Sequence, residues 1–116
     1  MKTPITGTTF PVAFTPANGA GLVFSATTTS STQAFVAGDG SNGISGTNCG
    51  NVLFYNAGTD LVFVRVGVGS QTATNADTPI ASGAYLLLSK FDATYAAVIA
   101  NASTAMVYVM PGEGQF

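Results

Sequence analysis

The sequence predicts an all-β protein: a single antiparallel β-sandwich with an extended N-terminal arm. Three observations carry that expectation. Short apolar segments recur along the chain and alternate with the two-residue period of a strand. Clusters of Gly, Ser, Asn and Asp interrupt them at intervals of about 8–12 residues, the rhythm of sandwiches and barrels. Val62, Val64, Val66 and Val68 share one face of a strand, and small β-branched side chains of that kind fill the space between two sheets.

In chain order, residues 1–18 form the arm and residues 19–116 the sandwich domain. Pro4, Pro11 and Pro16 punctuate the arm, and each disfavours helix at the residue before it. Ile5, Phe10, Val12 and Phe14 still give the arm an apolar edge, so it should lie on a surface, its own or a neighbour's. These four are the candidate interface residues. Leu22, Phe24 and Ala26 alternate with Val23, Ser25 and Thr27 as a first strand, and residues 33–37 form a second beyond the Ser30-Ser31 break. Residues 39–50 (DGSNGISGTNCG) are a glycine-rich loop. Residues 51–56 (NVLFYN) are a strand, 57–60 a hairpin connection and 61–68 (LVFVRVGV) the next strand. A polar stretch over 70–78 and Pro79-Ile80 lead to a turn at Ser82-Gly83. Strands over 84–90, 94–100 and 104–110 complete the domain. A competing helix over 93–106 would align Tyr95, Val98, Ile99, Ala102 and Met106. Asn101, Ser103 and Thr104 favour a turn between two strands instead.

Segment 61–68 is apolar on both faces, since Leu61 and Phe63 lie opposite the valines and Arg65 is the single charge among them. Tyr85 and Leu87 oppose Leu86 and Leu88 in the same way. Strands of that kind need cover on both sides. The outer face is therefore expected to lie under the arm or another subunit.

Composition narrows the function. The 116 residues carry a net charge of −2, with 7% charged and 47% hydrophobic, against about 25% charged in an ordinary soluble domain. With 16 Thr, 14 Gly, 9 Ser and 7 Asn, the exterior is one of hydroxyls, amides and glycine. Such a surface suits a subunit packed against copies of itself or a larger body. Three cations cannot build a phosphate-binding patch, so nucleic acid is not an expected partner. No apolar run approaches the ~20 residues of a membrane helix, so neither is a membrane. Cys49 is the only cysteine, which leaves no internal disulfide and fits synthesis in a reducing compartment.

No catalytic, cofactor or metal site is expected. The chain has no His, the commonest general base and metal ligand. Asp39-Gly40-Ser41-Asn42-Gly43 lacks the alternating carboxylates of a calcium loop, and Gly50 stands where its closing Glu belongs. Gly67-Val68-Gly69 has Thr72 in place of the third glycine of a nucleotide fingerprint. No Ser-x-x-Lys leads into Lys90. Asp39, Asp60, Asp77 and Asp92 sit in turns, where Asp caps its own backbone.

From residue 51 to the end, the sequence resembles small structural proteins of tailed bacteriophages. The likeness lies in Asn56-Ala57-Gly58-Thr59, Phe63-Val64-Arg65-Val66-Gly67, Ala76-Asp77-Thr78-Pro79 and Ser82-Gly83. It continues in the ending Thr104-Ala105-Met106-Val107-Tyr108-Val109-Met110-Pro111-Gly112-Glu113-Gly114. The resemblance implies a β-sandwich virion component, often a capsid decoration (cement) protein or a minor head protein. Together with the composition it yields the expectation of a jelly-roll-like, non-enzymatic protein on the outer capsid surface. It would be a homotrimer, bound to the major capsid protein or other virion proteins and synthesised in the bacterial host cytoplasm. A head–tail or tail-associated structural protein of the same fold is the nearest alternative. A carbohydrate-binding adhesive module is a further one, from a different class.

Overall fold

A computed structural model of the chain describes residues 13–114. These residues form nine strands: β1 (Thr15–Pro16), β2 (Leu22–Ala26), β3 (Ser31–Ala34), β4 (Asn51–Asn56), β5 (Val62–Gly67), β6 (Thr78–Ile80), β7 (Tyr85–Ser89), β8 (Tyr95–Ala100) and β9 (Ala105–Glu113). All pairs are antiparallel, and no helix occurs among the described residues. One sheet runs β2-β9-β4-β7, with β1 beside β2 on the same edge of β9; the other runs β3-β8-β5-β6. From β2 onward the chain changes sheet at every connection except β5 to β6.

Period-two alternation explains why these segments pair face to face. Leu22, Phe24, Val52, Phe54, Val107 and Val109 point inward from the first sheet. Val62, Val64, Ile80, Ala96, Val98 and Ala100 meet them from the second, forming a single cluster of buried residues. Burying one such Phe or Val contributes roughly 1.5–3 kcal/mol, so this cluster is the main source of stability. One polar side chain belongs inside it. Asn56 is fully buried, accepts the Gly58 N–H at 3.0 Å, and donates to the carbonyls of Asp60 at 2.8 Å and Ile80 at 3.0 Å. It thereby shapes the β4–β5 turn and ties it to β6.

Two local features differ from the sequence reading. The second strand is β3, which starts at Ser31 instead of 33, because Ser31 to Ala34 pair with Val98 to Tyr95. Phe35 then turns into the core and Val36 outward, so their apolar character marks a loop anchor and not a strand. Val68 is 73% exposed, since the strand ends at Gly67 and Gly69 turns the chain with φ of +77°. As the sequence reading expects, the segment over 93–106 is two strands joined by a turn, which Asp60 caps by accepting the N–H groups of Ala102 and Ser103, both at 2.8 Å.

The outer face of the second sheet is covered by the chain itself. The β5–β6 connection, residues 68–77, folds back across it. Arg65 Nη1 donates to the Thr72 carbonyl at 3.1 Å and lies 3.8 Å from the Asp77 carboxylate. Ala73 N–H reaches Ser30 Oγ at 2.8 Å, and Gln71 N–H reaches Thr32 Oγ1 at 3.4 Å. Ala97, an outward residue, is fully buried as a result. The polar stretch noted in the sequence over 70–78 supplies the cover that β5 and β8 require.

At the other end of the chain, Thr15 and Pro16 pair with Glu113 and Gly112, and Ala17 N–H bonds the Pro111 carbonyl at 2.9 Å. Gly112 permits this approach: a Cβ there would press on the Thr15 carbonyl and the Phe14 ring. The last part of the segment assigned to the arm is thus a strand of the first sheet.

Two predictions follow from this architecture. Arg65 lies within the β5–β8 ladder and Lys90 is 2% exposed, so trypsin should cut the folded protein after neither, because cleavage needs local opening. Mass spectrometry of a time course checks this; early fragments ending at Arg65 would contradict the β5 pairing. The second concerns acid. N–H donors from Ala102 and Ser103 hold the Asp60 carboxyl below its ordinary value, so the fold favours its charged form. That contribution is complete above the unfolded pKa of about 3.9 and is lost as pH falls through the lower folded value. Wild-type urea midpoints should therefore decline more steeply below about pH 4 than those of Asp60→Asn.

Candidate interaction face

Among the described residues the first sheet has no such cover. Register places Val23 of β2 opposite Tyr108 of β9, Tyr108 opposite Tyr55 of β4, and Tyr55 opposite Tyr85 of β7. This row crosses the whole sheet on its outward side. Beside it, Met110, Leu53 and Leu87 form a parallel row, and Met106 lies one step along β9. Val23, Met106, Tyr108 and Tyr85 are 49%, 40%, 47% and 61% exposed. No charged residue stands in either row.

The tyrosines are mutually ordered. The Tyr55 and Tyr85 rings lie 4.5 Å apart between centroids with planes 24° apart, and Tyr55 and Tyr108 lie 6.4 Å apart at 23°. Stacked cross-strand aromatics of this kind contribute beyond the area they bury. Because ring faces are turned toward one another, the row offers outside partners ring edges and hydroxyls. That chemistry matches protein interfaces, where Tyr supplies rigid apolar area with a polar tip.

The groups with intrinsic reactivity are engaged elsewhere. Lys90 is buried, its Nζ donating to the Thr47 carbonyl at 3.2 Å and lying 4.8 Å from the centre of the Phe35 ring. Nearby Cys49 is buried; desolvation raises its pKa, opposed by Lys90 and reinforced by Glu113. A thiol kept protonated is a poor nucleophile. Asp39 accepts the Ser41 N–H at 2.9 Å, Asp60 caps the 101–104 turn, and Asp77 accepts from Thr74 and pairs with Arg65. No group of three or more potential metal-ligating side chains occurs among the described residues.

Of the four interface residues expected from sequence, Ile5, Phe10 and Val12 lie outside the described residues. Phe14 is half-buried, with its ring against Gly112 at the β1 edge. The tyrosine row was not singled out. Its signal was nonetheless present: Val23, Tyr55, Tyr85 and Tyr108 each sit one residue from a core position, and only the pairing register shows that they align. Phe91 is a further exposed aromatic, 80% exposed in the β7–β8 turn with φ of +46°.

Comparison with protein-family models, with curated proteins and with solved structures gives no match.

Replacing Tyr85 and Tyr108 by Lys should leave the far-UV spectrum nearly unchanged, because both side chains stand outside the core, and should lower the thermal midpoint by only the few degrees that the lost ring stacking costs. Any association through this face, measured by analytical ultracentrifugation, should weaken by roughly tenfold or more in that variant, since the new ammonium groups would have to be desolvated. For the wild type, association through an uncharged face should vary little between about 0.05 and 0.5 M salt.

Proposed function

We propose that this chain is a non-enzymatic structural protein of a tailed-phage virion: a capsid decoration (cement) protein that binds the outer head surface as a trimer. The observation that carries the proposal is the uncharged outer face of the first sheet, with its row of Val23, Tyr108, Tyr55 and Tyr85. An apolar patch of a few hundred Å² on a small domain is often functional. The sequence resemblance over residues 51–116 supplies the phage context.

The strand order supports a jelly-roll reading of the sandwich. Eight strands ordered β2-β9-β4-β7 and β3-β8-β5-β6, with nearly every connection crossing between sheets, suit two interleaved Greek keys, an architecture used by viral capsid and lectin domains. Four strands about 4.8 Å apart and five residues long at about 3.4 Å each give the open face a footprint of roughly 300 Å². A standard interface buries about 800 Å² on each partner. Further apolar surface is needed, and Ile5, Phe10 and Val12 of the arm are the residues proposed to supply it. Bridging adjacent capsid subunits in this way would raise the barrier to rupture of a shell under internal pressure.

Densitometry of purified virions tests the proposal. A copy number comparable to the major capsid protein is expected. A few copies per particle would move the protein to the neck or tail, and absence from virions would overturn the reading.

A further inference from the structure

The loop that covers the second sheet does not close over all of it. Between the loop and the sheet lies a cavity of about 310 Å³ that is broadly open to solvent, at the lower end of the size range of small-ligand sites. Phe63 and Ile99, cross-strand partners on β5 and β8, lie at its base. Thr28 of the β2–β3 turn, Thr74 and Asn75 of the covering loop, and Asn101 of the β8–β9 turn line its rim.

Three properties of this cavity define what fits it. Its lining carries no charged side chain, so it offers an anion or cation no countercharge to offset the water it would lose there. The side chains of Thr28, Asn75 and Asn101 are exposed and make no hydrogen bond within the described residues, leaving two amides and a hydroxyl with donors and acceptors free. Backbone groups of β5 and β8 beneath are paired with each other, so an extended peptide would find no strand edge to join.

We propose that this cavity is a binding site for a neutral saccharide, a mono- or disaccharide unit without a carboxylate or amine. The apolar C–H face of a pyranose ring packs on Phe63 and Ile99. Its hydroxyls, each donor and acceptor at once, bond the side chains of Asn75, Asn101 and Thr28. The cavity is preorganised, because the loop is pinned by the bonds from Arg65, Ser30 and Thr32 and by Thr74 N–H donating to Asp77 at 2.8 Å. Preformed walls reduce the ordering cost of binding. The site lies on the sheet opposite the tyrosine row and does not depend on the assembly proposal.

The test is a titration of the ¹⁵N-labelled full chain with glucose, galactose, mannose, N-acetylglucosamine, lactose and maltose, followed by amide shifts. At least one sugar should give saturable shifts at residues 63, 73–75 and 99–101, with Kd on the order of a few millimolar for so small and open a site. The double variant Asn75→Ala, Asn101→Ala should bind at least tenfold more weakly while keeping a wild-type spectrum elsewhere. Thr28→Val, which changes one exposed turn residue, serves the same purpose if the double variant fails to fold. Absence of saturable shifts with all six sugars would overturn the proposal, as would binding undiminished in the folded variants.

Discussion

The pairing register of β9 is the constraint on which most of the molecule depends. This nine-residue strand meets β1 and β2 on one edge and β4 on the other. Its alternation sends Val107 and Val109 into the core and Met106, Tyr108 and Met110 outward. A slip of one residue against β4 would exchange the two sets, exposing the valines and burying the tyrosine hydroxyl. Core and candidate interface are therefore two readings of one register. Neither can be altered without consequence for the other.

Much of the fold was legible in the sequence, because strand periodicity is a local property. Leu22, Phe24 and Ala26, Val52 and Phe54 of the NVLFYN segment, and Val62 with Val64 all point inward as their alternation requires. The turn at 101–104 was legible too, from residues that favour turns. The β3 boundary was not, because Phe35 is apolar for a loop that plugs the core. Lys90 was not either: a lysine beside Phe91 and Asp92 looks solvated, and its burial depends on Thr47 and Phe35, more than 40 residues away in the chain. At the candidate interface, the sequence showed that cover was needed on both faces. It could not show that residues 68–77 provide it on one side and that the other side is left open by the described residues.

The low charge has a structural counterpart. Each described acidic turn residue with a shifted pKa, Asp39 and Asp60, spends its charge on nearby backbone N–H groups. Arg65 and Asp77 hold a loop in place. Among the described residues no buried side-chain nitrogen or oxygen lacks a hydrogen-bond partner, which is the condition for burying polar groups at all. Charge here serves turns and loop anchoring, and the apolar face is left neutral.

The folded-back β5–β6 connection also gives the molecule a direction. Among the described residues, one sheet is finished by its own chain and the other is not. Any body that docks through the unfinished sheet leaves the loop-covered one pointing away from the contact. Insertions into residues 68–77 would accordingly change what the free side displays without disturbing the register of β9, so the two sides are open to separate variation.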